Sequence, residues 1–387
     1  MSEFVAGNRI ELLRAGGEYF PALEAACDAA TSEIYLETYI FENDVTGQRI
    51  GAALSRAAKR GVTVYLMIDG FGSKDLGDDF LFALRDAGVC VLIYRPQISP
   101  WTLRRERLRR LHRKIAVIDA RVAFVGGINI IDDMHTPRQV PPRFDYAVRI
   151  EGPLLAPIHA SVVTLWTLVM WTQFRRRGPT PAIAVQAHPR GEMRGTLVVR
   201  DNVSHRKDIE SAYLEAINNA GAEVLIANAY FFPGMSMRHA LADAAARGVR
   251  VVLLLQGRVE YMLLHYASRA LYRFFLDAGV EIYEYHRSFM HAKVAVIDDH
   301  WSTVGSSNID PMSLLLAREA NVMIDDAGFA LKLKASLNDA IALGAVRVDP
   351  ATWQRQPLHV RAFTWICYEL VRVMTGWSAY GRAREFR

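Results

Sequence analysis

The apolar positions of this chain fall in short dense runs rather than in one long helical stripe. A β-branched and aromatic run opens at Glu33-Ile34-Tyr35-Leu36 and closes at Tyr39-Ile40-Phe41. A helical stretch then ends at Ala57-Ala58-Lys59-Arg60, with Gly61 as its stop and a second strand-like run from Val62. Glycine serves there because it takes the left-handed backbone that terminates a helix without steric cost. The same text returns later. Glu223-Val224-Leu225-Ile226 leads to Tyr230-Phe231-Phe232, and Ala245-Ala246-Arg247-Gly248-Val249 repeats the helix stop. Asp86-Ala87-Gly88-Val89 answers Asp277-Ala278-Gly279-Val280, and residues 111–129 align with 290–308 without a gap. Strand, helix, strand, helix, strand is an α/β order, and its recurrence predicts two α-β-α sandwich halves forming a pseudo-dimer. We place the first half at residues 1–174, a Pro- and Gly-rich linker at 175–193, the second half at 194–350 and an apolar tail at 351–387.

Composition narrows this picture only slightly. With 51% hydrophobic and 22% charged residues, 387 residues suffice for a real core. Cys27, Cys90 and Cys367 have no paired spacing, which speaks against a disulfide framework or a thiolate metal site and suits a reducing compartment. The first twenty residues are interrupted by charges, which predicts no secretory leader. The net charge of +5 fits a phosphate-bearing partner, lipid or nucleic acid.

The chemistry lies inside the repeat. His112-Arg113-Lys114 with Asp119, and His291-Ala292-Lys293 with Asp298, both read His-x-Lys-x4-Asp. Each is followed at the same distance by a small-residue turn and an asparagine: Gly126-Gly127-Ile128-Asn129 and Gly305-Ser306-Ser307-Asn308. Both motifs sit on apolar β-branched runs and are expected on buried strands, where residues two apart share a face. Each histidine therefore projects with its lysine. Asp119 and Asp298, members of the same catalytic motifs, have the opposite parity and are cast as strand-end structural partners. A lysine beside each histidine places positive charge where a cation would sit, so neither a metal nor another cofactor is expected.

This doubled constellation resembles the phospholipase D superfamily, over nearly the whole chain. The resemblance implies one active site shared by two facing halves, with His112, Lys114, His291 and Lys293 around a single phosphate. It implies a phosphohistidine intermediate, with His112 assigned as nucleophile and His291 as acid/base. The lysines, Asn129 and Asn308 would hold the non-bridging oxygens, with Ser306 in support. Glu319, eleven residues past Asn308, stands where the family places an acid orienting a histidine. The first half offers Asp145 instead, a departure in residue type but not in charge. Within the superfamily, the runs from Met290 to Trp301, 304–308 and 227–234 resemble the bacterial cardiolipin synthases, in their shorter form without N-terminal membrane spans. That likeness implies transfer of a phosphatidyl group to phosphatidylglycerol, from phosphatidylglycerol or phosphatidylethanolamine. It also implies a peripheral protein on an anionic membrane surface, at the cytoplasmic face of the bacterial inner membrane, with no nucleic acid partner. The motifs by themselves leave phospholipase D hydrolysis or a soluble phosphodiesterase or nuclease open.

Three further segments bear on the surface. Residues 101–110 carry five arginines beside Trp101 and Leu108, suited to an anionic bilayer or to nucleic acid. Residues 154–171 are charge-free and long enough to span a membrane, but spanning would put the two histidines on opposite sides, so a buried or interfacial helix is expected. Residues 360–377 read as an amphipathic helix, either interfacial or docked on the body.

Overall fold

The computed structural model describes residues 3–95, 109–136, 139–173, 183–201, 204–310 and 317–380. Most of the arginine-rich stretch of 101–110 lies outside them, as does much of the expected linker.

The first half runs β1 (Val5–Arg14), α1 (Ala15–Asp28), β2 (Glu33–Thr38), α2 (Val45–Lys59), β3 (Thr63–Asp69), α3 (Asp78–Asp86), β4 (Cys90–Tyr94), β5 (Arg110–Leu111), β6 (Lys114–Ile118), β7 (Val122–Gly126), β8 (Arg143–Phe144), β9 (Tyr146–Glu151) and α4 (Leu155–Thr172). The second runs β10 (Met193–Arg200), α5 (Asp208–Asn219), β11 (Glu223–Asn228), α6 (Met235–Ala246), β12 (Arg250–Gln256), α7 (Met262–Ala270), α8 (Tyr272–Asp277), β13 (Glu281–Tyr285), β14 (Phe289–Met290), β15 (Lys293–Ile297), β16 (Trp301–Gly305), β17 (Ala317–Asp325), α9 (Ala327–Gly344) and β18 (Ala345–Arg347). Two more helices follow, α10 (Pro350–Gln354) and α11 (Leu358–Tyr380).

All strands but β8 and β14, which pair with each other, form one continuous sheet, ordered β18-β13-β12-β11-β15-β16-β17-β10-β1-β9-β7-β6-β2-β3-β4 with β5 against β17. Its two arms mirror one another about the antiparallel β1–β10 pair, where Val5 faces Gly195. Parallel pairing of β2 with β3 and β3 with β4, repeated by β11, β12 and β13, needs the helical crossovers that the repeated sequence supplies.

Helices cover both faces. One core joins the halves: Ile10, Val148, Ile158 and Val162 of the first half pack with Val294, Val322, Phe329 and Leu333 of the second, under α4 and α9. Separate cores lie beneath α1 and α2 on one arm and α5 and α6 on the other. Helix α4 is long and apolar enough to cross a membrane by length and composition. It lies instead along the sheet, with Leu155, Ile158, Val162, Leu165 and Val169 buried, as the position of the two histidines requires.

Beneath α4 the first half buries a polar cluster that the second lacks. Arg113 donates to both carboxylate oxygens of Glu37 and to the hydroxyl and carbonyl of Ser161 on α4. Nearby, His159 Nε2 lies 2.7 Å from Glu33. Position 113 corresponds to Ala292 and position 37 to Ala227, so this pair is no part of the repeat. Burial pushes the Glu37 carboxyl above its ordinary value, and the Arg113 guanidinium opposes the shift. Arg113→Met should cost about 3–5 kcal/mol in urea unfolding, because it strands the Glu37 charge. The double variant Arg113→Met, Glu37→Leu should recover most of that loss.

Candidate functional site

The histidines do not sit on strands. β6 begins at Lys114 and β15 at Lys293, each just past its histidine. The two preceding residues form short strands that pair with the other half: β5 runs parallel to the start of β17, and β14 parallel to β8. Leaving the sheet frees each histidine backbone to bond across the pseudo-dimer. His112 N–H donates to the Arg318 carbonyl at 2.9 Å, and His291 N–H to the Phe144 carbonyl at 2.8 Å. The next residue along each partner strand is the acid. His112 Nδ1 lies 3.0 Å from Glu319, and His291 Nδ1 lies 2.7 Å from Asp145. With Nδ1 engaged, Nε2 is the nitrogen left for chemistry on both rings.

Lys114 and Lys293 are buried, and each ammonium donates to the carbonyl of its own histidine, at 2.6 Å for Lys114. Burial lowers both, Lys114 to about 7 and Lys293 to about 8, with nearby Glu319 and Asp145 pulling back upward. Burial also lowers His112, against the pull of Glu319. It lowers His291 further, aided by Lys293, Lys114, Arg143 and His112. Each half's charges are thus felt by the other half's histidine. Asn129 accepts from the Ile40 N–H at 3.2 Å through its amide oxygen, which fixes the turn beside His112. Asn308 is buried at the equivalent turn.

The two acid pairs differ in a way that explains the Asp145 departure. The Ser306 hydroxyl donates to Glu319, and its N–H bonds Ala320. The matching residue is Gly127, where an added Cβ would lie 2.4 Å from an Asp145 carboxylate oxygen. The shorter acid sits closer to the chain and leaves no room for a side chain. Asp145 also loses the hydroxyl donor, and burial pushes it up to about 7.

Asp119 and Asp298, counted within the catalytic motifs but cast as strand-end structural partners, sit away from the histidines. Each lies at the far end of its strand, about 16 Å from the lysine at 3.3 Å per residue. Each opens a tight turn at φ +51°, a left-handed conformation that Asp tolerates better than most residues. Asp119 accepts from the N–H groups of Thr31, Ser32 and Glu33, and Asp298 from those of Gly221, Ala222 and Glu223. They fasten the entry of the strand next door.

Sequence reasoning missed Asp69, buried at the end of β3, which accepts from the N–H groups of Phe71, Gly72 and Leu111 and so sets the approach to His112. Its counterpart is Gln256, so the repeat hid it. Tyr39 and Tyr230, one position apart in the repeat, flank His112 and His291 at ring separations of 4.9 and 6.4 Å.

Paired strand-end histidines, each held by an acid from the opposite half, define a phospholipase-D-type protein. The fold agrees: phosphatidylserine synthase of Haemophilus influenzae Rd KW20 superposes with a TM-score of 0.73 at 15% identity, covering 97% of both chains. Residues 23–148 and again 213–341 match the family described as "Cardiolipin synthase, PLD-like domain". Cardiolipin synthase B of Escherichia coli (strain K12) is 42% identical over 96% of this chain and 90% of its own length. Cardiolipin synthase A of Pseudomonas putida (strain GB-1) is 32% identical over 87% and 69%. The chain belongs to the cardiolipin synthase family.

Lysines held near 7 and 8 are charged below those values and neutral above them. Anion affinity should therefore weaken as pH rises from about 6 to about 9, and binding near pH 8 should take up protons. Titration calorimetry with sulfate, whose own charge is constant across this range, in two buffers of different ionisation enthalpy will check both. Loss of the proton uptake in Lys114→Met would identify its source.

Proposed function

We propose that this chain is a cardiolipin synthase, a phosphatidyltransferase that moves a phosphatidyl group to phosphatidylglycerol through a phosphohistidine on His112. The observation that carries this reading is the pair of Nε2 atoms left free when Nδ1 of each histidine engages an acid from the opposite half.

His112 is the nucleophile. A hydroxyl donated by Ser306 keeps Glu319 an acceptor, which favours a proton on Nδ1 of His112 and a lone pair on Nε2. That nitrogen attacks phosphorus, the bond from phosphorus to the headgroup oxygen breaks, and His291 gives its Nε2 proton to the departing alcohol. His291 Nδ1 lies 2.7 Å from Asp145, whose carboxyl burial pushes up to about 7 while it lowers His291, so the two titrate as a coupled pair. In the second step His291 takes the proton from a phosphatidylglycerol hydroxyl, whose oxygen displaces His112. Lys114, Lys293, Asn129 and Asn308 hold the non-bridging oxygens as charge shifts. Phosphatidylglycerol or phosphatidylethanolamine serves equally as donor, since either headgroup leaves as an alcohol.

The setting is a lipid surface, at the cytoplasmic face of the bacterial inner membrane. Helix α11 docks one face on the body through Cys367, Val371 and Tyr368, the last beside Phe232 at 5.4 Å. Its other face exposes Phe363, Trp365, Ile366, Leu370, Val373 and Met374. The helix is thus both docked and apolar toward solvent, the arrangement of an interfacial anchor.

Purified protein with labelled phosphatidylglycerol in mixed micelles should yield cardiolipin and glycerol. His112→Ala and His291→Ala should each lower the rate at least about 10³-fold. Phosphatidic acid as the sole product would make the chain a hydrolase. Turnover of a soluble diester or nucleic acid, with lipid untouched, would overturn the lipid reading. Trp365→Ser with Ile366→Ser and Leu370→Ser should reduce flotation with phosphatidylglycerol vesicles while leaving the melting temperature near that of the wild type.

A further inference from the structure

The two sides of the site are not alike, although the repeat would make them so. The Tyr230 hydroxyl donates to Glu260, a solvent-facing carboxylate at the rim of the His291 side. The segment that carries Glu260 is tied down just before it. Gln139 donates to the Val259 carbonyl at 2.8 Å, and Arg258 to the His286 carbonyl at 2.7 Å. Opposite Glu260 stands Arg143, two residues before Asp145. Its guanidinium lies 4.9 Å above the Phe289 ring, which in turn stacks on His291. Nε and Nη2 of Arg143 reach the His135 carbonyl, and its charge acts on both His291 and Glu260.

Among the described residues, neither Glu260 nor Arg143 has a like side chain at the equivalent position beside His112. Gly70-Phe71-Gly72-Ser73 matches Gly257-Arg258-Val259-Glu260, so Glu260 answers to Ser73. Ser73 is buried and spends its hydroxyl on the Tyr39 carbonyl and the Phe41 N–H. Arg143 answers to Ala317. The His112 side instead presents Tyr39, and Phe71 with Arg110 over its ring at 5.0 Å.

We propose that Tyr230, Glu260 and Arg143 form the acceptor-alcohol subsite. Tyr230 and Glu260 bind the free hydroxyls of a glycerol headgroup, and Arg143 pairs with the phosphate of the incoming lipid. The inference rests on the phosphatidyltransferase reading, and it follows from the direction of attack. A nucleophile on His112 expels the alcohol toward His291, so both departing and incoming headgroups occupy the His291 side. A carboxylate and a phenol suit a polyol, because they accept and donate where glycerol donates and accepts. A guanidinium is the side chain best matched to a phosphate three carbons from the reacting hydroxyl. A bare alcohol or water lacks that second phosphate and draws nothing from Arg143.

The test supplies labelled phosphatidylglycerol as donor and measures three products together: cardiolipin, phosphatidic acid from water, and phosphatidylglycerol that has exchanged its headgroup with labelled free glycerol. Arg143→Gln should lower the ratio of cardiolipin to exchanged glycerol at least tenfold, through a raised KM for phosphatidylglycerol as acceptor. Arg143→Lys should restore part of it. Glu260→Gln should lower both alcohol products against phosphatidic acid and leave their mutual ratio near that of the wild type. Equal loss of all three products in Arg143→Gln, with an unchanged melting temperature, would overturn the assignment and make Arg143 a support of His291. Unchanged ratios in both variants would also overturn it. Absence of cardiolipin from the wild type would instead remove the transferase reading beneath it.

Discussion

Everything at this site depends on an exchange between the halves. Each histidine takes its backbone carbonyl partner and its orienting acid from the opposite half, from two consecutive residues of the chain. The backbone bond sets where the imidazole is; the acid sets which nitrogen faces the substrate. Because β5 and β14 must leave their own sheets to reach across, the histidines cannot belong to the strands that follow them. The shared core under α4 and α9 keeps the two arms in register. That register brings two lysines and two histidines close enough for each half's charges to act on the other's histidine.

Symmetry of backbone then carries asymmetry of chemistry. Replacing serine by glycine and glutamate by aspartate is sterically one change, since the shorter acid fills the volume a side chain at Gly127 would need. Its electrostatic effect is to take a hydroxyl donor from one acid and leave it on the other. The two histidines thereby face differently bonded acids, with little difference in backbone geometry between them. Gly127 and Asp145 belong together, and neither is read correctly alone.

Most of the architecture was legible because the chain states it twice. The glycine stops, the β-branched runs and the ungapped match of residues 111–129 with 290–308 foretold the crossovers and the two-armed sheet. The histidines, lysines and both orienting acids were legible from spacing and resemblance. What escaped had no second copy or no local signal. Asp69 faces Gln256 in the repeat, Arg113 faces Ala292, and Glu260 faces Ser73, so looking for repetition discarded them. Strand parity placed each histidine on the same strand as its lysine, because nothing local reveals that the two residues before it pair with a distant strand. Parity did succeed for Asp119 and Asp298, which it excluded from the phosphate side, and the turns they open give the reason.

The crossing of the halves also bears on synthesis. β1 emerges first from the ribosome but pairs with β9, Arg14 facing Tyr146, and the first half alone contains His112, Lys114 and Asp145. Glu319 and the Arg318 carbonyl, which orient His112, are translated near the end of the chain. Domains generally fold in order as they emerge, yet here His112 in the first half gains its orienting partners only when β17 is made. Both histidines are oriented only once each half has delivered its acid to the other.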